Sequence, residues 1–111
     1  MIEKDVFTAL KTVCDRVYPS MMPDDAVFPL ITYFDVYKGV NQSFNSGRIM
    51  SFDVRFQVDI FAESFSEVKN LEQLVWQKAS DLNGGSISST YIYEDSIKLH
   101  RQLIDFTIKR I

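Results

Sequence analysis

The stretch from Arg55 to Gln77, "RFQVDIFAESFSEVKNLEQLVWQ", decides the fold of this chain. It begins inside a run, residues 50–60, in which apolar and polar residues alternate strictly. This alternation predicts a strand with one face in a core and the other facing water or a partner. Ser64 and Glu67 then have the spacing of a capping box, which predicts the start of an amphipathic helix that stops at residues 83–85.

The apolar arc of this helix is wider than burial against one sheet requires. Its core stripe consists of Val68, Leu71, Val75, Ala79 and Leu82. At about 100° per residue, Phe65 and Trp76 lie to one side of the stripe and Leu74 lies to the other, which widens the arc to about 200°. Two explanations are open: a deep groove between the sheet and the first helix, or a contact surface for another subunit.

The remaining segments complete an α-β-β-α-β-β order. They are a helix from Ile2 to about Arg16, a proline-rich connector over residues 19–29, a strand over 30–37, a long exposed loop from Lys38 to Gly47, a short strand over 89–93 and a final strand near the C-terminus. We therefore predict an α+β fold with an antiparallel sheet of about four strands and two helices packed on one face. Residues 1–111 are expected to form a single domain.

The composition limits the class of protein. With 46% hydrophobic residues and nine phenylalanines, the chain can build one compact core. Its formal net charge of −3 argues against a general nucleic-acid binder. Cys14 is the only cysteine, which rules out an intrachain disulfide and fits a reducing compartment. We expect a protein that is soluble and cytoplasmic at synthesis, without a signal peptide or a membrane segment.

Residues that could carry chemistry are few. His100 is the only histidine, and neither a second histidine nor a cysteine lies near it in the sequence. Asp53 and Asp59 share the polar face of a strand but are about 20 Å apart, too far for a pair of catalytic carboxylates. No phosphate-binding glycine motif occurs. We predict no catalytic, cofactor-binding or metal-binding residue and therefore no enzyme.

Several segments together resemble the tail-completion proteins of long-tailed phages, also called tail terminators or tail-to-head joining proteins. The resemblance covers nearly the whole chain. It lies in "RVYP" at residues 16–19, Pro23, "PLITY" at residues 29–33, "RFQVDIFA" at residues 55–62, the Ser-capped helix and "DFTIKRI" at residues 105–111.

This resemblance implies a structural assembly protein. Members of the family form a ring, usually hexameric, that caps the tail tube and offers the docking surface for the head. The implied partners are copies of the same chain, the tail tube protein and a head-completion or connector protein, and DNA passes through the lumen without specific binding. The implied location is the head-tail junction of the virion, reached from the host cytoplasm. No cofactor is implied.

The contact residues are our own predictions. In the long loop we expect Phe44, Asn45 and Arg48 to dock on the tail tube or the head-side partner, because long loops in compact domains are often functional. We expect subunit contacts on the outer face of the sheet and on the side of the apolar arc that carries Phe65 and Trp76. The residues concerned are Asp53, Arg55, Asp59, Phe65 and Trp76. The alternative function is a small dimeric ligand-binding module with a groove near Trp76.

Overall fold

The structure is a computed structural model that describes residues 2–42, 47 and 49–110. In chain order the elements are α1 (Ile2–Lys11), β1 (Val17–Pro19), β2 (Leu30–Gln42), β3 (Ile49–Ala62), α2 (Phe65–Asp81), β4 (Gly84–Glu94) and β5 (Leu99–Arg110). The strands form one sheet in the order β1-β2-β3-β5-β4, and both helices pack on the same face of it. The predicted α+β class is confirmed.

The main core lies between the two helices and the inner face of the sheet. Its centre is the alternating stripe of β3, in which Phe56, Val58 and Ile60 are fully buried. The Phe56 ring stacks on Phe106 of β5 at a centroid distance of 5.8 Å. Each such side chain contributes about 1.5–3 kcal/mol through burial. The alternation in the sequence therefore identifies the core of the protein.

A second, smaller core covers one end of the outer face. Leu30, Phe61 and Leu99 are buried there. The side chains packed against them come from the proline-rich connector and from the residue just before it. These side chains are Tyr18, Met22, Ala26 and Phe28. The alternation predicts that this face meets water or a partner, but at this end it is covered by residues of the same chain. The connector folds back over the sheet because the apolar residues at its ends need burial.

The first helix is shorter than predicted and is followed by a strand that was not predicted. α1 ends at Lys11 instead of near Arg16, and Val17–Pro19 pairs in parallel with Ile31–Tyr33 of β2. The Arg16 carbonyl accepts a hydrogen bond of 2.9 Å from the Ile31 N–H. The chain leaves the helix early because these backbone groups are satisfied by the sheet edge. Over the residues that the structure describes, the sheet is accordingly mixed and has five strands.

The long loop is also shorter than predicted. β2 continues through Lys38 to Gln42, and β3 starts at Ile49, so that Val40 lies opposite Phe52. Polar and glycine residues over 38–42 indicate a loop when read alone, but the backbone of β3 supplies them with partners. The result is a long β-hairpin in a molecule that measures 54 × 25 × 24 Å.

β4 is longer than the predicted strand over residues 89–93. It begins at Gly84, immediately after α2, and pairs with β5 as far as Glu94, with a bulge between Gly85 and Ser88. Asn83 adopts a positive φ of 63° at the turn between helix and strand. The glycines predicted to stop the helix therefore also open the edge strand.

Candidate interaction surfaces

An ion-pair network occupies the covered end of the outer sheet face. Arg101 donates hydrogen bonds to Asp59 at 3.0 Å and to Glu94 at 2.9 Å, and its guanidinium lies over the Phe61 ring. Burial lowers the pKa of Arg101, but the bonds to Glu94 and Asp59 outweigh this effect and raise its pKa above the ordinary value. The network thus locks β3, β5 and β4 together.

The three residues predicted for subunit pairing on this face differ in their surroundings. Asp59 is 6% exposed, and its carboxylate is held by Arg101 of the same chain. Arg55 has a half-exposed side chain that lies 3.5 Å from Asp105 of β5. Asp53 lies further along the same strand and lines a cleft at the hairpin. Of the three, Arg55 offers a charge at the surface that a neighbouring subunit could reach.

An aromatic group lies where the start of α2 meets β4. Phe65 is 53% exposed and contacts Tyr91 edge-on at a centroid distance of 5.3 Å. The Tyr91 hydroxyl and His100 Nδ1 share a hydrogen bond of 2.6 Å, and Tyr93 packs against the same imidazole at 5.0 Å. His100 is therefore part of a packed aromatic group.

Trp76 continues this surface along α2. It is eleven positions after Phe65, which at 3.6 residues per turn returns it to within about 20° of the same side of the helix. That side faces β4, because Glu72, one turn earlier, accepts a hydrogen bond from Ser89. Trp76 is 38% exposed. The two aromatic residues predicted for subunit contact thus share the β4 side of α2, which we call the α2 aromatic side.

Polar groups are buried beneath this side. Glu72 is 7% exposed and Gln102 is 2% exposed. Gln102 Nε2 donates to Ser89 Oγ at 2.6 Å, and Lys69 Nζ donates to Gln102 Oε1 at 3.0 Å. This cluster could not be predicted from the sequence, because its members are polar residues on the core-facing side of three separate elements. Its hydrogen bonds join α2 to the edge of the sheet, and burying it without them would be costly.

An apolar cleft lies where the hairpin extends past the helices. Its volume is about 470 Å³, and its lining includes Ile2, Val40, Phe52 and Val54. Val40 is 51% exposed and Phe52 is 44% exposed, although both point to the helix face of the sheet. We call this region the hairpin patch. The sequence pattern does not predict this patch, because the polar and glycine residues around Val40 indicate a loop.

An ion pair closes one side of the hairpin patch. The Lys38 ammonium of β2 contacts the Glu3 carboxylate at the start of α1. The hydrogen bond from Lys38 lowers the pKa of Glu3, and its own backbone hydrogen bond lowers it further. The same hydrogen bond raises the pKa of Lys38. This pair is the link between the first helix and the extended part of the hairpin.

The other predicted features have the following positions. A second cleft lies between α1 and Leu82, and Trp76 lines neither of these two clefts. Cys14 is buried, with its thiol 3.5 Å from the Pro29 carbonyl oxygen. The docking-loop residues Phe44, Asn45 and Arg48 lie outside the described residues.

Metal-binding clusters and membrane-spanning helices are both absent from the described residues. Over residues 2–42, 47 and 49–110, histidine, cysteine, aspartate and glutamate do not gather in groups of three or more that could hold a metal ion. Within the same residues, no helix is long and apolar enough to cross a membrane.

Comparison with known proteins identifies similar folds among solved structures. No family model matches the chain, and no curated protein sequence matches it. Among solved structures, 28 chains match. One belongs to the virion of a native gene transfer agent particle, with 12% sequence identity and a TM-score of 0.64. The match covers 95% of this chain and 90% of that chain. At this identity the similarity shows a shared fold over the whole length.

Proposed function

We propose that this protein is a structural subunit of a phage-type virion, and more specifically a tail-completion subunit that forms a ring on the tail tube. The observation that carries the proposal is the whole-length similarity of fold to a chain of a gene transfer agent virion. The resemblance of its sequence segments to those of tail-completion proteins supports the same assignment.

The proposed partners follow from this role. Copies of the chain associate, as a hexameric ring by the family resemblance, between the tail tube protein and a head-completion or connector protein at the head-tail junction. DNA crosses the lumen without specific binding. The net charge of −3 suits such a lumen, because a strongly basic surface would retain DNA through its phosphates.

The surfaces available for these contacts are those described above. Arg55 has a half-exposed charge on the outer face, and Phe65 and Trp76 expose aromatic area on the α2 aromatic side. Buried aromatic residues and arginine are the side chains that contribute most often to protein interfaces. We assign these three residues to subunit contacts, whereas Asp59 serves the subunit's own fold through Arg101.

The test is to inactivate the gene in the phage or prophage that carries it, induce particle formation and image the lysate by electron microscopy. We expect DNA-filled heads beside unattached tails, or tails of uncontrolled length. The first result would assign head joining and the second would assign length termination. Normal infectious particles would refute the assembly role, and restoration of attached tails by the gene supplied in trans is the control.

A further inference from the structure

The sheet has two unpaired edges, one at each end of the strand order. Among the described residues, β4 pairs with β5 along one side and has no strand on its other side. β1 covers only Ile31–Tyr33 of β2, which leaves residues 34–42 of β2 without a strand on that side. Natural proteins usually protect such edges with lysine or proline. The β4 sequence, "GGSISSTYIYE", contains neither.

The strands at these two edges run in opposite directions, so they can pair as antiparallel strands of neighbouring copies. β2 is antiparallel to β3, β3 to β5 and β5 to β4, so β4 runs antiparallel to β2. When two copies lie side by side in the same orientation, β4 of one therefore meets β2 of the next as an antiparallel pair. The helices of both copies then lie on the same face of a continuous sheet. Contacts between two different surfaces of identical subunits are those that generate rings.

Apolar surface accompanies both edges on that same face. Beside β4 lie Phe65 and Trp76 of the α2 aromatic side together with the half-exposed Tyr93. Beside the free part of β2 lies the hairpin patch, with Val40 and Phe52. Side-by-side copies bring the first group over the second. A single arrangement of the two copies would then form both the backbone pairing and the apolar contact.

From these observations we infer that the occupant of the β4 edge is a second copy of this chain, which pairs its residues 34–42 with β4 and places its hairpin patch under the α2 aromatic side. This inference rests on the proposed ring and names one of the contacts that build it. Arg55 lies on β3, away from this edge, and belongs to a separate contact on the outer face. β1 already covers Ile31–Tyr33, so the neighbouring β4 must be staggered toward the end of the hairpin. The stagger is what brings the α2 aromatic side over Val40 and Phe52.

Cross-linking of single-cysteine variants tests this contact. In a Cys14→Ser background, Thr90→Cys places a thiol on β4 and Tyr37→Cys places one on β2, both on the outer face of the sheet by their register. Residues on the same face of paired strands lie close enough for a short bismaleimide. We expect an equimolar mixture of the two variants to give at least tenfold more cross-linked dimer than either variant alone.

A control pair of variants measures the cross-linking that random collisions produce. Thr107→Cys lies on the same outer face but on β5, which has a strand on both sides. A mixture of this variant with Thr90→Cys should cross-link no more than the separate variants. Cross-linking captures transient contacts, so the comparison does not require a stable ring in solution. Circular dichroism melts verify that each variant is folded before it is used.

Three outcomes would overturn the inference. The first is a yield for Thr90→Cys with Tyr37→Cys that equals the Thr107→Cys background. The second is self-linking of Thr90→Cys that matches the mixture, which indicates pairing of β4 with β4. The third is self-linking of Tyr37→Cys that matches the mixture, which indicates pairing of β2 with β2. None of these results depends on the gene-inactivation phenotype: detached tails together with a background yield would refute the edge pairing and leave the tail role intact.

Discussion

Gly84 lies where the end of α2 passes directly over the first residue of β4. A methyl group at this position would lie 2.7 Å from the Ala79 carbonyl oxygen and 3.2 Å from the Phe106 ring. The neighbouring Gly85 has open space at the corresponding position. The tight connection between helix and edge strand therefore depends on the first glycine.

We expect Gly84→Ala to destabilise the protein by about 1–3 kcal/mol, because the backbone of α2 must move to admit the methyl group. Gly85→Ala is the matched control and should change stability by less than about 0.5 kcal/mol. Urea unfolding followed by circular dichroism measures both. Equal effects of the two substitutions would contradict the close approach.

The cap of α2 also depends on one side chain. Ser64 Oγ accepts a hydrogen bond of 3.2 Å from the Glu67 N–H, as the capping-box pattern predicted. We expect Ser64→Ala to lower the free energy of unfolding by about 1 kcal/mol. Ser66→Ala, inside the first turn, should have less than half of that effect. Thermal unfolding of the two variants under identical conditions provides the comparison.

At the scale of elements, α1 and the extended part of the hairpin are joined by Glu3 and Lys38. Because the hydrogen bond from Lys38 lowers the folded-state pKa of Glu3, the pair stabilises the fold above the ordinary pKa of a glutamate. This contribution is lost as the pH falls through the lowered pKa. The ionised carboxylate is thus the form that holds the helix to the hairpin.

The stability difference between the wild type and Glu3→Gln should accordingly be largest near neutral pH and should vanish in strong acid. Lys38→Gln should remove the same pH-dependent part, and the double variant should lose no more than either single variant. Unfolding by urea across a pH series measures the difference. A difference that grows as the pH falls below 4.5 would have the wrong sign for this account.

The sequence allowed the buried elements to be predicted better than the edges. Phe56, Val58 and Ile60 alternate because one face of β3 is buried, and burial is what gives sequence its period. By contrast, the end of β2 and the start of β4 are rich in glycine and polar residues, and their strand structure comes from their pairing partners. Local preference cannot reveal such strands, since the stabilising groups are distant in the sequence.

The candidate contact surfaces follow the same division. Helix geometry alone predicts that Phe65 and Trp76 lie on one side of the core stripe of α2. The structure places both on the β4 side of this helix. The hairpin patch could not be predicted, because it exists only when residues near Val40 continue as a strand beyond the helices. The ion pair of Asp59 with Arg101 joins residues 42 positions apart, so it could not be predicted from the sequence either.

At the scale of the whole molecule, the assembly prediction concerns Arg55. Arg55→Glu should prevent ring formation while the isolated subunit still unfolds cooperatively. The loss of the ion pair with Asp105 should cost the fold at most about 1 kcal/mol, because the arginine side chain is half exposed. Electron microscopy of assembled tails and a thermal melt of the free subunit measure the two quantities.

Arg55→Gln separates the loss of a positive charge from the gain of a negative one. If opposite charges on neighbouring subunits set the register, the glutamine variant should assemble more slowly than the wild type and the glutamate variant should not assemble. Normal assembly of Arg55→Glu would remove this residue from the subunit contact.

The short strand β1 has a geometric consequence for any ring built by edge pairing. In an unshifted arrangement Thr90 is level with Thr32, which β1 already covers. Moving Thr90 past β1 to the level of Tyr37 requires a shift of about four residues, or about 14 Å, for every four strands, which together span about 19 Å. Those dimensions incline the strands by about 35° to the ring axis, within the range of closed β-barrels. The three residues of the parallel strand β1 would thus set the tilt of the strands in the assembled ring.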